Sequence, residues 1–424
     1  MRWGHVVRGL AAAAASLCLL GAFVLTEAPR PIVGEASAAT DDCAPAWVPA
    51  WHAASQPTPT DPALAGRTLR MVVTPQVTGS QVRVRLSNAY GATPLQVGTV
   101  SVGRSDAAGG VVPGTMTAVA FDGRPDVSIP PGSDRVSDPV PLVAEAGRPL
   151  AVSMFTPVLP TVLTGHGVAL QPSYVSAPGD AALVADGAAY DSAAASWMVL
   201  AGIEVLAPRP VNTVVTIGDS ITDGVGAGPG ERWPDALARR LTGPAAMSVL
   251  NAGISRNRLL GADPLGGDPP AVRFARDVRG ATDVVLHIGT NDIAAGTGAG
   301  EIVDGLVAFA AQARAAGSRV LLTTITPSAH GAHGTPEALA TRSAVNAWVL
   351  AHGHEHADGV VDFAAAVADP ADPTRLAPAH DSGDGLHLSA DGYRALAAAV
   401  DPALLTGSPC LADTSPARVL VSGR

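Results

Sequence analysis

Between residues 44 and 207 the apolar positions come in short runs: Thr68–Thr74, Val82–Leu86, Val127–Ile129, Leu150–Phe155 and Trp197–Val205. Within Val82-Arg83-Val84-Arg85-Leu86 apolar residues alternate with arginine, the period of a half-buried strand. Turn-forming stretches at Asn88–Gly91, Asp106–Gly110 and Pro130–Gly132 separate such runs. The pattern predicts an antiparallel sandwich of jelly-roll type. From Val211 it changes to short apolar strands at Val214–Ile217, Ser248–Asn251, Asp283–Ile288, Val320–Thr324 and Val360–Asp362. Between them helices are predicted over Trp233–Leu241, over a segment carrying Ile302, Leu306, Phe309 and Ala313 on one face, and over Pro336–Leu350. A last helix is predicted from Ala390 to Leu405, with Ser389 as its N-cap. Strands alternating with helices imply an α/β fold, a parallel sheet wrapped on both faces. Ala207-Pro208-Arg209-Pro210 marks the boundary between the halves.

The N-terminus follows neither pattern. Arg2 and Arg8 precede an apolar stretch from Gly9 to Leu25, and Ala36-Ser37-Ala38 offers a small-residue cleavage site, so residues 1–38 read as an export signal. The expected organisation is a signal peptide over 1–38, a β-sandwich domain over 44–207, an α/β domain over 211–406 and a tail over 407–424. The mature protein is expected to be secreted and extracellular. Cys43 and Cys410 remain after cleavage, and in a compartment that permits disulfides they are expected to pair.

With 424 residues, 47% of them hydrophobic, the chain is long enough to bury a core in each half. Its formal net charge of −10, without a long basic run, gives nucleic acid no electrostatic footprint. Past the leader no apolar run reaches the roughly 18 residues of a membrane span, so no stable membrane insertion is expected after cleavage.

The chemistry-bearing residues fall just after strands, where ligands bind in open α/β sheets. The first strand ends in Gly218-Asp219-Ser220-Ile221-Thr222-Asp223-Gly224, a glycine-rich turn that can expose the Ser220 hydroxyl beside a helix N-terminus. The Gly-x-Ser-x-Gly elbow of α/β-hydrolases is absent, because position 222 is Thr. The second strand ends at Gly253 and the third is followed by Gly289-Thr290-Asn291-Asp292. The N–H groups of Ser220 and Gly253 and the Asn291 amide could form a three-donor oxyanion hole. After the fifth strand, Asp384 and His387 are spaced so that the carboxylate could accept the imidazole Nδ1 proton while Nε2 faces the serine. His352, His354 and His356 could recruit a transition metal, but they read as a solvated loop, and no metal site is expected. His330 and His333 follow the fourth strand, where a loop could rim the cleft; Trp233 and Trp348 read as core.

At these residues the chain resembles the SGNH (GDSL-type) hydrolases. Gly218–Gly224 is similar to the family's first block, with Ile221 where the name-giving motif has Leu; Gly253, Asn291 and the Asp384/His387 pair match the later blocks. Trp51-His52-Ala53-Ala54-Ser55, Arg83–Gly91, Ser137-Asp138-Pro139, Arg273–Asp277 and Val361-Asp362-Phe363 resemble landmarks of a bacterial secreted subfamily, arylesterase- or acylhydrolase-like, that carries an N-terminal β-domain. The resemblance implies a flavodoxin-like, doubly wound, five-stranded parallel sheet preceded by an all-β jelly-roll-like sandwich. It implies Ser220 as nucleophile, His387 and Asp384 as its partners, ester hydrolysis through an acyl-enzyme, and no cofactor. The expected substrate is a small-molecule or polysaccharide ester with a short, acetyl-type acyl group, and a monomer is the expected state. A lipase or phospholipase for longer acyl chains is the alternative. A non-catalytic glycan-binding protein is a third, opposed by the complete set of site residues.

Overall fold

The strand Thr213–Gly218 is buried at all six positions, as a strand covered on both faces must be. In the computed structural model, which describes residues 43–242 and 246–405, it forms part of a five-stranded parallel sheet. Across the sheet the order is Ser248–Gly253, Thr213–Gly218, Asp283–His287, Arg319–Thr323, Gly359–Val361. In chain order that is 2-1-3-4-5, the doubly wound arrangement, with its switch point between the first and third strands. One face packs Ile302, Leu306, Phe309 and Ala313 of the helix Ala299–Ala315. The other packs Trp233 and Leu237 of Trp233–Arg240 with Tyr393 and Leu396 of Ala390–Ala399. Ser389 caps that last helix by accepting the Gly392 N–H.

The first half is all-β. A four-stranded antiparallel sheet (Ala46–His52, Leu200–Ala207, Val82–Asn88, Ser133–Val136) and a six-stranded one centred on Arg67–Val73 and Leu150–Thr156 share a core. Val84, Leu86 and Ile203 of the one meet Leu69, Met71 and Val152 of the other, all fully buried. The two halves also join: the chain after Ala46–His52 forms a parallel bridge, Ala53 to Asn251, and Ser248 Oγ donates to the Pro49 carbonyl. The edge of the parallel sheet is thereby covered.

Three local expectations change. The run Trp197–Val205 is broken: Val199 has φ +65°, a left-handed conformation rare for a β-branched residue, and the strand divides into Trp197–Met198 and Leu200–Ala207. The histidine tract is not a loop; the helix Pro336–His356 continues through it, with His352 Nδ1 3.0 Å from Glu355 and His356 stacked on Trp348. Trp348 is accordingly half-buried against the core, whereas Trp233 is fully enclosed. A further helix, Pro270–Asp277, went unread because its two leading prolines resemble a loop, although proline is well suited to a helix's first turn. The leader at residues 1–38, the tail from 407 and Cys410 lie outside the described residues.

The close approach that positions the site is at Gly253. A Cβ there would lie 2.3 Å from the Asp223 nitrogen and 2.6 Å from the Thr222 carbonyl carbon, both backbone atoms. Gly253→Ala is therefore expected to cost about 1–3 kcal/mol, the range for overpacking a close-packed site. The check is urea unfolding; an unchanged midpoint would show that the Ser220 helix is free to move off the strand.

Candidate active site

Hydrogen-bonding register brings three strand ends side by side: Gly218 pairs with Gly253 on one side and with His287 on the other. Beyond Gly218 the chain turns sharply. A Cβ at Gly218 would sit 2.2 Å from Thr222 Oγ1 and 2.4 Å from the His287 carbonyl oxygen, so only glycine fits. Asp219 then caps a single helical turn, Ser220–Asp223, by accepting the Ile221 N–H at 3.0 Å, and Gly224 ends it at φ +98°. Ser220 is the first residue of that turn, where a backbone N–H has no partner within the helix.

His387 Nε2 stands 2.9 Å from Ser220 Oγ, and its Nδ1 stands 2.6 Å from Asp384 Oδ2. The other Asp384 oxygen accepts the backbone N–H groups of Leu386 and His387 at 2.9 and 2.8 Å. Partial burial pushes the Asp384 carboxyl up, but the hydrogen bonds from His387 and Leu386 and the His387 charge outweigh it and bring it down to about 2. The loop is stiffened by Asp381, whose Oδ1 accepts from the N–H groups of Gly383 and Gly385. Serine, imidazole and carboxylate thus form one continuous hydrogen-bonded chain, the arrangement by which a base can take a serine proton and be held in one tautomer.

The donor side differs from the sequence expectation at one residue. The Gly253 N–H is not offered to the cleft: it donates 2.8 Å to Asn251 Oδ1, in a turn closed by that strand's own asparagine. The Asn251 amide in turn donates to the Thr222 carbonyl, so Gly253 and Asn251 brace the nucleophile's helix. Asn291, in the short helix Thr290–Ala294, donates one amide hydrogen to the Asn257 carbonyl at 3.0 Å, which fixes its plane and leaves the second hydrogen available. Asn291 lines a cavity of about 220 Å³ together with Arg256, Arg258, Asp263 and His333. His333 was anticipated at the rim; the arginines were not, since nothing in Ile254-Ser255-Arg256-Asn257-Arg258 marks them off from surface charge. Arg256 has φ +67°, a left-handed residue in the loop after Gly253.

Beneath the site lie three buried acids. Burial drives Asp219 up to about 7; the Ile221 N–H opposes this, while the Asp292 and Asp223 charges reinforce it. Burial would also raise Asp223, but His166 as charge and hydrogen-bond partner, with Arg232, holds it below the ordinary carboxylate range. Asp292 is raised by burial despite accepting the Leu259 and Leu260 N–H groups at 2.8 and 2.9 Å. Among the described residues, no group of three or more His, Cys, Asp or Glu side chains is placed to hold a metal ion, and no helix is long and apolar enough to cross a membrane.

Residues 216–395 match the model of the GDSL-like lipase/acylhydrolase family. Solved structures similar to the chain include a GDSL-like lipase from Bacteroides thetaiotaomicron VPI-5482, at 23% identity over 46% of this chain and 90% of that one, with a TM-score of 0.36. Another is an acetylxylan esterase from Geobacillus stearothermophilus, at 21% identity over 44% and 91%, with a TM-score of 0.35. No curated protein matches the chain.

Two outcomes follow from this geometry. Asn291→Ala is expected to lower kcat by about 10²–10³-fold with KM little changed, as for loss of a donor used only in the transition state; steady-state kinetics with an unchanged kcat would remove Asn291 from that role. For Asp219 the folded-state value of about 7 lies above the unfolded one of 3.8, so its contribution to stability is complete below pH 3.8 and lost as pH rises through about 7. Asp219→Asn keeps the capping oxygen without the charge. Its unfolding free energy relative to wild type, from urea unfolding at each pH, is expected to rise steadily between pH 4 and 7 and to level off above, by a total on the order of a few kcal/mol. A pH-independent difference would show that Asp219 does not titrate there.

Proposed function

We propose that the protein is a serine esterase that hydrolyses carboxylic esters through an acyl-enzyme on Ser220. The observation that carries this is the chain Ser220 Oγ, His387, Asp384, linked at 2.9 and 2.6 Å. His387 takes the hydroxyl proton as Ser220 Oγ bonds to the ester carbonyl carbon, and then gives that proton to the departing alcohol. The oxyanion is received by the Ser220 N–H and the Asn291 amide, with Gly253 restricted to supporting the turn. Water, deprotonated by the same imidazole, adds to the acyl carbon; the bond to Ser220 Oγ then breaks as His387 returns the proton to that oxygen, and the acid is released. Asp384, ionised across the working pH range, orients His387 and stabilises the imidazolium.

Short, acetyl-type acyl groups on a polar alcohol, such as a polysaccharide hydroxyl, are the substrate class we propose. The cavity beside Asn291 supports this reading: it is small, and apart from Ala294 and Ala295 its walls are the polar side chains of Arg256, Arg258, Asp263, Asn291 and His333, where a long acyl chain would call for a mainly apolar lining. Export of the chain, with Cys43 and Cys410 paired, is part of the same proposal and agrees with an extracellular polymer as substrate.

The test is hydrolysis of p-nitrophenyl esters from acetyl to palmitoyl by wild type and Ser220→Ala. Activity that peaks at acetyl to butyryl and falls by at least about 10³-fold in the variant is the expected outcome. A peak at long chains would make lipid esters the substrate, and equal rates for the two proteins would end the esterase reading.

A further inference from the structure

The half of the molecule with no part in the hydrogen-bonded triad reaches the nucleophile's helix through His166. His166, the last residue of the strand Val162–His166, is 3% exposed, and its Nε2 stands 2.9 Å from Asp223 Oδ1. Its Nδ1 stands 2.8 Å from the Ala54 carbonyl oxygen, one residue beyond the Ala53 to Asn251 bridge. Both imidazole nitrogens thus face oxygen atoms, one of a carbonyl and one of a carboxyl group. The opposite Asp223 oxygen accepts twice from one residue, from the Ser255 N–H at 2.8 Å and from its hydroxyl at 2.6 Å.

Asp223 is the last residue of the turn that Ser220 begins, and Ser255 opens the loop whose Asn257 carbonyl receives the Asn291 amide. One buried carboxylate therefore touches both the element carrying the nucleophile and the loop that fixes the oxyanion donor. Arg232 makes a second tie at the same junction, donating to the Val168 and Ala169 carbonyls at 2.9 and 2.7 Å, just beyond His166.

We propose that His166 is a positioning residue for catalysis: through Asp223 it locks the Ser220 turn and the Ser255–Asn257 loop in a single relative arrangement, making the antiparallel region a working part of the active site. This rests on the esterase reading of Ser220. The burial of the pair, with side chains 3% and 1% exposed, makes it costly to break from one side only. Because the two ends it joins hold the reacting oxygen and the oxyanion donor, a displacement of about 1 Å is worth up to about 10²-fold in rate.

The two ring nitrogens can be separated by substitution. Asn places its amide near the Nδ1 position and keeps the Ala54 contact while losing Asp223; Gln places its amide near Nε2 and keeps Asp223 while losing Ala54. With the full chain and p-nitrophenyl acetate, His166→Asn is expected to lower kcat by about 10- to 100-fold with KM within about threefold, while His166→Gln recovers most of the rate. The labelling rate of Ser220 by a fluorophosphonate, which needs no knowledge of the substrate, is expected to fall in the same order, with both melting temperatures recorded.

Equal kcat for His166→Asn and wild type, or losses in the two variants that track melting temperature alone, would overturn the proposal. If His166→Asn does not fold, Ser255→Ala takes its place, removing only the 2.6 Å hydroxyl contact from the same carboxylate. A fall in kcat of about threefold or more at constant KM supports the proposal, and an unchanged kcat overturns it. Wild type that neither hydrolyses the ester nor is labelled at Ser220 overturns the esterase reading and this inference together, whereas an active wild type matched by its variants overturns the inference alone.

Discussion

The register of the parallel ladder is the constraint from which the site follows. Gly218 is level with Gly253 and with His287, so the chain leaving each strand emerges at the same edge of the sheet, on the two sides of the switch point. A register slip of one residue in either neighbour would turn every side chain on that strand to the opposite face and strip the core of its apolar residues. The price of bringing Ser220 so close to two strands is paid in side chains: positions 218 and 253 have no room for a Cβ, because the backbone and side chain of the Ser220 turn already occupy that space.

That turn is too short to hold itself. A single helical turn forms one or two hydrogen bonds and is unstable alone, so its geometry has to be imposed from outside. Side chains from its surroundings supply this: Asp219 caps it from below, the Asn251 amide takes the Thr222 carbonyl, and His166 and Ser255 hold Asp223. The neighbouring loop is fixed in the same manner, with Asp223 on Ser255 and Asp292 on Leu259 and Leu260. Buried carboxylates accepting backbone N–H groups do here what a longer helix would do by propagation, and they leave the loop no freedom to relax when charge develops above it.

Much of this architecture was legible in the pattern of residues. The five parallel strands and the main helices lie close to where alternation and helical spacing put them, because long apolar periods report burial directly. Ser220, His387 and Asp384 were legible for a different reason: each follows a strand, and the strand ends had to converge. What escaped was set by tertiary context. Gly253 looked like a donor because a glycine at a strand end can aim its N–H into a cleft, but Asn251, two residues earlier, competes for that N–H and takes it. His166 and Asp223 are 57 residues apart in different halves, and nothing local to either announces the other. The helix Pro270–Asp277 was hidden by the prolines that begin it.

Carboxylates of one chemical type end with opposite characters within this small region, and the environment decides which. Asp384 sits at the surface with an imidazole and two N–H groups directed at it, and its charged form is favoured down to about pH 2. Asp219, four residues from Asp223 and immediately before the nucleophile, is enclosed with a single N–H on one oxygen and no partner on the other, and its charged form is disfavoured up to about pH 7. In the proposed reaction, an ionised Asp219 would place a second negative charge against the turn whose Ser220 N–H faces the oxyanion, opposing the transition state. A neutral Asp219 caps the turn without that penalty, while the charge that the proposed mechanism uses is kept on Asp384, on the far side of the imidazole where it would stabilise a proton acquired by His387.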